Sequence, residues 1–471
     1  MTPSPPEAAL LPGPSALSAP DARHPPVQRR AGLRVRPDMF RWFLFILTLI
    51  TISRIHQHFH FIALLRPALL MTGLAAAYAW MKPSLLAPEG LLRTLPARVI
   101  LAFGVLACLS VPFGLSVGNS GLFIITDYSK TLIFAMLVVV SIRGVQDLWA
   151  YVWAFVISTG ILVWMSLFVF GLSKAGSQAE RLSNLYTYDA NDVGLMVLVG
   201  LGLTLLAFQL SRGLPRLFCL VVLFGIGATL SRTGSRGAFL GALVVGLSLL
   251  LLLKGVSPIK RIGFVAVAAA ALFLYAPAGY WDQMETIKDP QADYNWTEYS
   301  GRKRVSQRAI GYMMSNPLTG IGIANFGKAE CTISPRAVNP LRRGPLKCSA
   351  AHNSYLEAGA ELGIPGLLLW VGAVFGSIFA MIRLRGRIPR EWMRGDREAR
   401  FLAQAPTYFA LSMIAFAVCS FFVSFAWMDP IYFLLALMAG LQVSLERKAK
   451  ELGVAFGRPA RPPSRRSGPR S

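Results

Sequence analysis

The chain has 471 residues, of which 54% are hydrophobic and only 15% are charged. A mean hydropathy of +0.51 is typical of a polytopic membrane protein and excludes an ordinary soluble domain. The formal net charge of +24 does not indicate a nucleic-acid partner. The basic residues lie mainly in short connections between apolar runs and in the two tails, as in membrane proteins.

The two ends of the chain differ in composition from the rest. Residues 1–38 are rich in Pro, Ala and Arg and have no secretory hydrophobic core. We expect them to form a disordered cytoplasmic tail, not a cleaved signal peptide. Residues 447–471 form a second basic tail, for which we expect disorder and attraction to anionic inner-leaflet lipids. Residues 39–446 are then one all-α polytopic membrane domain.

Apolar runs that can cross about 30 Å of hydrocarbon recur throughout this domain and predict about twelve transmembrane helices. The runs lie near residues 39–53, 61–81, 97–117, 121–142, 147–172, 191–210, 216–231, 237–254, 261–278, 364–382, 404–424 and 429–446. Lysine and arginine are concentrated in alternate connections, which predicts that these connections and both termini are cytoplasmic. The predicted periplasmic connections lie near residues 54–60, 173–190, 231–236, 279–353 and 425–428.

The connection 231–238 has the sequence SRTGSRGA and places Arg236 at the start of the next helix. A helix N-terminus presents free N–H groups and a partial positive charge. An arginine added there suits phosphate oxygens, because its fork can donate two hydrogen bonds. The alternative is an ordinary interfacial arginine, which is the simpler interpretation of this turn by itself.

The connection 279–353 is far longer than the ~4–6 residues usual between elements, which marks it as functional or disordered. Its residues 301–315 are predicted to form a helix that ends before Asn316 and Pro317. On a helical wheel, Arg302 falls in the middle of the apolar face. That face consists of Val305, Ala309, Tyr312 and Met313.

Two interpretations of Arg302 have equal weight on the wheel alone. Arg302 is aimed at a ligand on the packed side, or it extends from the helix start to water. The other polar residues of this helix point away from the apolar face, and we expect them to be solvated. They are Lys303, Arg304, Gln307 and Arg308.

The long connection re-enters the membrane domain through the sequence AHNSYLE at 351–357. His352 stands alone in its region and can exchange protons near neutral pH, so it is either a catalytic base or a packing residue. Asn353 follows it directly. Glu357 and Glu361 lie one helical turn apart and either orient the histidine or face the loop.

The five cysteines divide between the apolar spans and the long connection. Cys108, Cys219 and Cys419 lie in apolar spans and are predicted to be buried thiols. Cys331 and Cys348 lie in the connection 279–353, where an oxidising periplasm would allow a disulfide; the alternative is two free thiols. No Cys and His spacing resembles a zinc site, so no metal is expected.

Three blocks in this order resemble the O-antigen ligase and polymerase superfamily of bacterial membrane glycosyltransferases. The first is TGSRG at 233–237. The second runs from GR at 301–302 to NPLTGIGIANF at 316–326, and the third joins HNSYL at 352–356 to ELGIPG at 361–366. The matched core covers roughly residues 190–380.

The resemblance implies a GT-C-like fold in the bacterial inner membrane, with short helices in a large periplasmic loop. Arg236 and Arg302 would bind the diphosphate of an undecaprenyl-linked glycan. His352 would take a proton from, or position, an acceptor hydroxyl, supported by Asn353, Glu357 and Glu361. The acceptor would be a glycan or the lipid A core. Two arginines can neutralise the leaving diphosphate, so neither cofactor nor metal is expected.

The alternative is a polytopic solute transporter of the inorganic-carbon type. Transporters usually contain internal repeats and broken, charged helices near the membrane midplane. This chain has no internal repeat, and its informative polar residues are concentrated at one face and in one long connection. The pattern therefore favours the glycosyltransferase.

Overall fold

The computed structural model describes residues 38–87, 89–174, 180–253, 256–289, 299, 301–339 and 348–453. The predicted disordered tails lie almost wholly outside these residues. One boundary is corrected, because the last helix continues to Glu451, beyond the predicted end of the domain at residue 446.

The described chain is largely helical, and a helix lies at each of the twelve predicted spans. The helices are α1 (Met39–Ser53), α2 (Ile55–His58), α3 (His60–Leu64), α4 (Pro67–Met81), α5 (Glu89–Arg93), α6 (Leu95–Ser110), α7 (Val117–Phe123), α8 (Ser129–Ser141), α9 (Val145–Phe168), α10 (Ala190–Leu210), α11 (Leu214–Thr233), α12 (Arg236–Leu252), α13 (Pro258–Leu274), α14 (Tyr280–Glu285), α15 (Arg302–Ser315), α16 (Phe326–Thr332), α17 (Ser354–Arg387), α18 (Arg397–Cys419) and α19 (Asp429–Glu451). A π-helical turn, Ile124–Tyr128, joins α7 to α8, and 3₁₀ turns lie at Pro83–Leu85 and Arg390–Met393.

Within the described residues, seven helical segments are long and apolar enough to cross a membrane. They are Phe61–Met81, Val117–Ser141, Val145–Phe168, Ala190–Leu210, Leu214–Thr233, Ser354–Arg387 and Arg397–Cys419. Helices α1, α6 and α12 are shorter apolar helices. Side chains such as Leu220, Leu247 and Phe379 are exposed, as lipid-facing residues are. The chain is an all-α polytopic membrane protein, and the total of twelve spans stays a prediction.

Two short strands were not predicted. β1 (Gly171–Ser173) and β2 (Arg181–Ser183) pair antiparallel, with Leu172 opposite Leu182. β2 lies in the predicted outer connection 173–190, whereas β1 begins in the last two residues of the predicted span 147–172, which was therefore too long. Each strand covers only three residues, so the strands do not change the helical class.

Helix α10 lies at the centre of the bundle, because it is apolar on all sides and almost completely buried. Small residues allow its neighbours to approach closely. A Cβ atom at Gly202 would lie 2.7 Å from the carbonyl oxygen of Tyr408 on α18. Ser412 of α18 donates a hydrogen bond to the carbonyl of Val199 at 2.8 Å. These contacts fix α18, and therefore the loop that follows it, against α10.

The predicted outer connections meet at one end of the bundle. Arg54 forms an ion pair with Asp429 at 2.7 Å, and Thr187 donates a hydrogen bond to Gln57 at 2.6 Å. The predicted inner connections meet at the other end through ion pairs. These are Arg41–Asp147 at 2.6 Å, Arg143–Asp38 at 3.2 Å and Lys448–Glu398 at 3.6 Å. This grouping agrees with the predicted alternation, while the side that faces the cytoplasm stays a prediction.

Candidate active site

Arg236 is positioned by a turn that ends one helix and caps the next. Gly234, at φ +57°, stops α11 in a left-handed conformation that glycine adopts without steric cost. The Ser235 side chain then accepts a hydrogen bond from the N–H of Ala238 at 3.2 Å and caps α12. Arg236 is therefore the first residue of α12, where it donates from Nη1 to Oγ1 of Thr286 at 2.8 Å.

The short helix α14 holds this turn from the long connection. Gln283 donates from Nε2 to the carbonyl of Gly234 at 2.6 Å. Thr286 donates in turn to the carbonyl of Gln283 at 2.8 Å. Neither residue could be predicted from the sequence, because a glutamine and a threonine in a polar loop carry no distinguishing pattern.

Arg302 is the first residue of α15, one residue after the predicted start of this helix at Gly301. The buried residues of α15 are Val305, Ala309, Tyr312 and Met313, which confirms the predicted face. Arg302 is half-buried, and its guanidinium carbon lies 5.9 Å from the centroid of the Phe422 ring. Its neighbour Arg304 is exposed, so the two arginines differ as the wheel predicted.

The prediction that Arg308 is solvated is wrong. Its guanidinium binds the Glu330 carboxylate through Nε at 2.8 Å and Nη2 at 2.5 Å. Tyr312 donates a third hydrogen bond to the same carboxylate at 3.0 Å. Only 10% of the Arg308 side chain and 2% of the Glu330 side chain are exposed. The helical wheel considers α15 alone. It therefore could not show that α16, which carries Glu330, covers the face of α15 on which Arg308 lies.

The charge of Arg308 is stabilised in spite of its burial. Burial acts to lower the pKa of Arg308, but the hydrogen bonds and charge of Glu330 raise it above its ordinary value. Burial and the same carboxylate also raise the pKa of Tyr312. This network holds α15 against α16 through Arg308. Arg302 lies at the start of α15, beside Phe422.

His352 lies at the start of the third block in a left-handed conformation, φ +49°. Non-glycine residues are uncommon there, although histidine is enriched among them. The His352 backbone N–H donates to Oγ of Ser424 at 2.9 Å. Asn353, which was predicted to support the histidine, caps α17 by accepting from the N–H groups of Tyr355 and Leu356. This cap places His352 immediately before the helix.

The residues 420–428 connect α18 to α19 and will be called the α18–α19 loop. The predicted span 404–424 was too long, because α18 ends at Cys419. The apolar letters FFVSF at 421–425 extended the hydropathy signal into this loop. Ser354 donates to the carbonyl of Val423 at 2.8 Å, and its N–H donates to the carbonyl of Ser420 at 2.8 Å.

This loop contacts all three blocks that the sequence singled out. Ser424 binds His352, and the Phe422 ring faces Arg302. The same ring lies over the start of α12, where a Cβ atom at Gly237 would be 2.6 Å from Cγ of Phe422. Arg236 is the residue before Gly237. The loop thus connects the surroundings of Arg236, Arg302 and His352 at one end of the bundle.

The two glutamates of the third block hold neighbouring loops. The buried Glu361 carboxylate accepts from the N–H groups of Ala324 at 2.6 Å and Phe326 at 2.9 Å, and from Nε1 of Trp427 at 2.7 Å. Glu357 accepts from the N–H of Ala426 at 3.1 Å. Of the two interpretations, these contacts favour glutamates that face the loops.

Cys331 and Cys348 are joined by a disulfide, with their Cα atoms 5.0 Å apart. Cys219 and Cys419 are buried, as predicted, but Cys108 is exposed on α6. The prediction for Cys108 was wrong because an apolar span also has a lipid-facing side. In the part of the chain that the structure describes, no three His, Cys, Asp or Glu side chains form a group that could hold a metal ion.

Comparison with known families identifies the region that contains this site. Residues 218–371 match the family model described as O-antigen ligase. The match contains Arg236, Arg302 and His352 and ends before the α18–α19 loop. No match to the chain was found among the curated proteins.

Proposed function

We propose that this protein belongs to the O-antigen ligase and polymerase superfamily, as the match over residues 218–371 supports, and that it is an inverting membrane glycosyltransferase. It moves a glycan from an undecaprenyl-diphosphate donor to an acceptor hydroxyl at the periplasmic face of the inner membrane. The acceptor is another glycan or the lipid A core. The observation that carries the proposal is the α18–α19 loop, which contacts His352, Arg302 and the residue that follows Arg236.

The two arginines provide the donor side of the site. Arg236 and Arg302 are each the first residue of a helix, where the helix dipole also favours an anion. A diphosphate leaving group carries two or more negative charges, and each guanidinium can bind it through two hydrogen bonds. Positive groups that are already in place stabilise the charge that develops on the leaving oxygen.

His352 provides the acceptor side of the reaction. Its ring accepts the proton of the acceptor hydroxyl as that oxygen forms a bond to the anomeric carbon. The bond between this carbon and the phosphate oxygen breaks, and the lipid diphosphate leaves with the electron pair. Attack opposite the leaving group inverts the anomeric configuration. A neutral imidazole suits this role, because its ordinary pKa lies near the working pH.

A defined reaction tests the proposal. The full-length protein, reconstituted in nanodiscs, is incubated with an undecaprenyl-diphosphate oligosaccharide and either a second donor molecule or lipid A core. We expect equal amounts of released undecaprenyl diphosphate and new glycosidic bond, with inverted anomeric configuration by NMR. Retained configuration would overturn the inverting mechanism. Absence of transfer to both acceptors would overturn the proposed function.

The transporter alternative gains no support from the family match.

A further inference from the structure

A cavity of about 850 Å³ lies at the same end of the bundle as the candidate active site. Ala351 and Ser424 line it, and these residues are the chain neighbour and the hydrogen-bond partner of His352. Arg236, Arg302 and Phe422 are not among its described lining residues. His352 is not a lining residue either, but the cavity borders its backbone through Ala351 and Ser424, whereas within the described residues no such contact links the cavity to the two arginines.

The cavity wall carries basic and acidic side chains, with the acidic ones in excess. Its basic residues are Arg54, Arg66 and Lys130, and its acidic residues are Asp127, Glu357, Glu361 and Asp429. A site for a phosphate or diphosphate requires the opposite balance. The cavity is therefore poorly suited to the anionic end of the donor, and its volume lies within the range of ligand sites in proteins, about 300–1,000 Å³.

Most of these charges are already engaged within the protein. Arg54 pairs with Asp429 at 2.7 Å, and Lys130 pairs with Asp127 at 3.6 Å. Thr131 donates to the second oxygen of Asp429 at 2.7 Å. These pairs present hydrogen-bond donors beside acceptors while their charges cancel. Hydroxyl groups, which both donate and accept, are the ligands that suit such a wall.

Among the charged side chains of this wall, two groups remain for a ligand. The Glu361 carboxylate already accepts three hydrogen bonds. Glu357 uses Oε2 for the N–H of Ala426. Within the described residues, Oε1 of Glu357 and the guanidinium of Arg66 make no hydrogen bond. Arg66 is exposed at the entrance to α4, whereas Glu357 lies on the first turn of α17, close in sequence to His352.

We infer that this cavity is the acceptor site, that it takes an unphosphorylated, hydroxyl-rich segment of a glycan, and that Glu357 binds the acceptor. The inference rests on the proposed function. The arginines bind the donor diphosphate on one side of the α18–α19 loop. The acceptor sugar enters from the cavity on the other side, where Glu357 accepts a hydrogen bond from one of its hydroxyls. The attacking hydroxyl then reaches His352 past Ala351 and Ser424.

The test uses Glu357→Gln, which retains a carbonyl oxygen for the N–H of Ala426 but replaces Oε1, which can accept a hydrogen bond, with an amide nitrogen that can only donate one. The full-length protein in nanodiscs receives one lipid-linked donor and three acceptor probes. These are the free oligosaccharide repeat, a core oligosaccharide with its phosphates, and the same core oligosaccharide after phosphatase treatment. Glu446→Gln is the control, because Glu446 is an exposed glutamate on α19 near the opposite end of the bundle.

We expect Glu357→Gln to raise the acceptor KM by about 10-fold, because the hydrogen bond that Oε1 accepts from an acceptor hydroxyl is lost. The donor KM should change by less than about twofold, and Glu446→Gln should match the wild type. Dephosphorylation should not weaken use of the core acceptor. An unchanged acceptor KM in Glu357→Gln, or a strict requirement for acceptor phosphates, would overturn the inference.

Equilibrium binding separates this inference from the proposed reaction. The free oligosaccharide repeat and the dephosphorylated core oligosaccharide are titrated onto His352→Ala protein, with and without the Glu357→Gln substitution. Binding of at least one probe that weakens about 10-fold on Glu357→Gln supports the cavity as a glycan site, even if no transfer occurs. Absence of binding by both probes, or equal binding by both proteins, contradicts it. Failure of the wild type to release diphosphate contradicts the reaction alone.

Discussion

At the scale of single residues, the arginines of α15 have different roles although they lie within one short helix. Arg302 faces Phe422, Arg304 is exposed, and Arg308 is held by Glu330. The wheel predicted the first two, because burial of one apolar face depends on the helix alone. It could not predict the third, because the partner is supplied by another helix after a turn that contains three residues with positive φ.

We expect Arg302→Lys to lose donor-dependent transfer almost as fully as Arg302→Ala. A compact ammonium group does not replace a planar fork that binds two phosphate oxygens. Arg304→Ala is the matched control and should retain nearly full activity, because exposed charges contribute little. Initial rates at saturating acceptor and equal protein amounts provide the comparison. Full activity in Arg302→Ala would remove this residue from the site.

Arg308→Ala should destabilise the protein by about 3–5 kcal/mol, because it leaves the Glu330 carboxylate buried without its ion pair. Replacing both residues, as in Arg308→Met with Glu330→Leu, should recover much of this loss, since an apolar pair leaves no buried charge. Thermal unfolding in detergent measures both effects. A single variant as stable as the wild type would contradict the buried pair.

At the scale of elements, the α18–α19 loop organises the site. Hydropathy cannot distinguish this loop from a membrane span, because its phenylalanines are as hydrophobic as the residues of a span. The three sequence blocks before, within and at the end of the long connection could be predicted from the sequence, because each combines a turn residue with a polar group. The loop at which these blocks meet could not be predicted from the sequence, because Ser424 and Phe422 carry no such pattern and act only through tertiary contacts.

Glycine at position 237 is required by the close approach of Phe422. Gly237→Ala should displace the ring, with an overpacking cost of about 1–3 kcal/mol, and should reduce transfer by disturbing Arg236 and Arg302 together. Gly246→Ala is the control on the same helix, because its nearest neighbour would be 3.9 Å away. Transfer rate and thermal stability are measured for both. Equal activity in the two variants would contradict a role for this contact.

At the scale of the whole molecule, the helical membrane class followed from composition, because lipid requires long apolar helices whose backbone groups are satisfied internally. The grouping of connections at two ends also followed from the alternating basic residues. The ends of the helices were harder to predict from the sequence. Residues 420–424 were assigned to a span, and the last helix was ended too early, because hydropathy does not detect where backbone hydrogen bonding stops.

The orientation of the bundle determines whether the candidate active site faces the periplasm. A reporter fused after Arg390 should behave as cytoplasmic, and one fused after Val338 should behave as periplasmic. Alkaline phosphatase and a fluorescent protein, which are active on opposite sides, give complementary signals. The reverse pattern would place His352 on the cytoplasmic side and contradict the proposed use of a periplasmic glycan donor.

In the proposed mechanism, His352 acts with the two arginines in one glycosyl transfer. The most direct test measures released undecaprenyl diphosphate and transferred glycan together for the wild type and His352→Ala in nanodiscs. We predict equal release and transfer in the wild type. We also predict a loss of about 10²–10⁴-fold in His352→Ala, the usual contribution of a general base, with membrane insertion and donor binding unchanged. Near-normal turnover by His352→Ala would contradict the proposed role of His352 in this transfer.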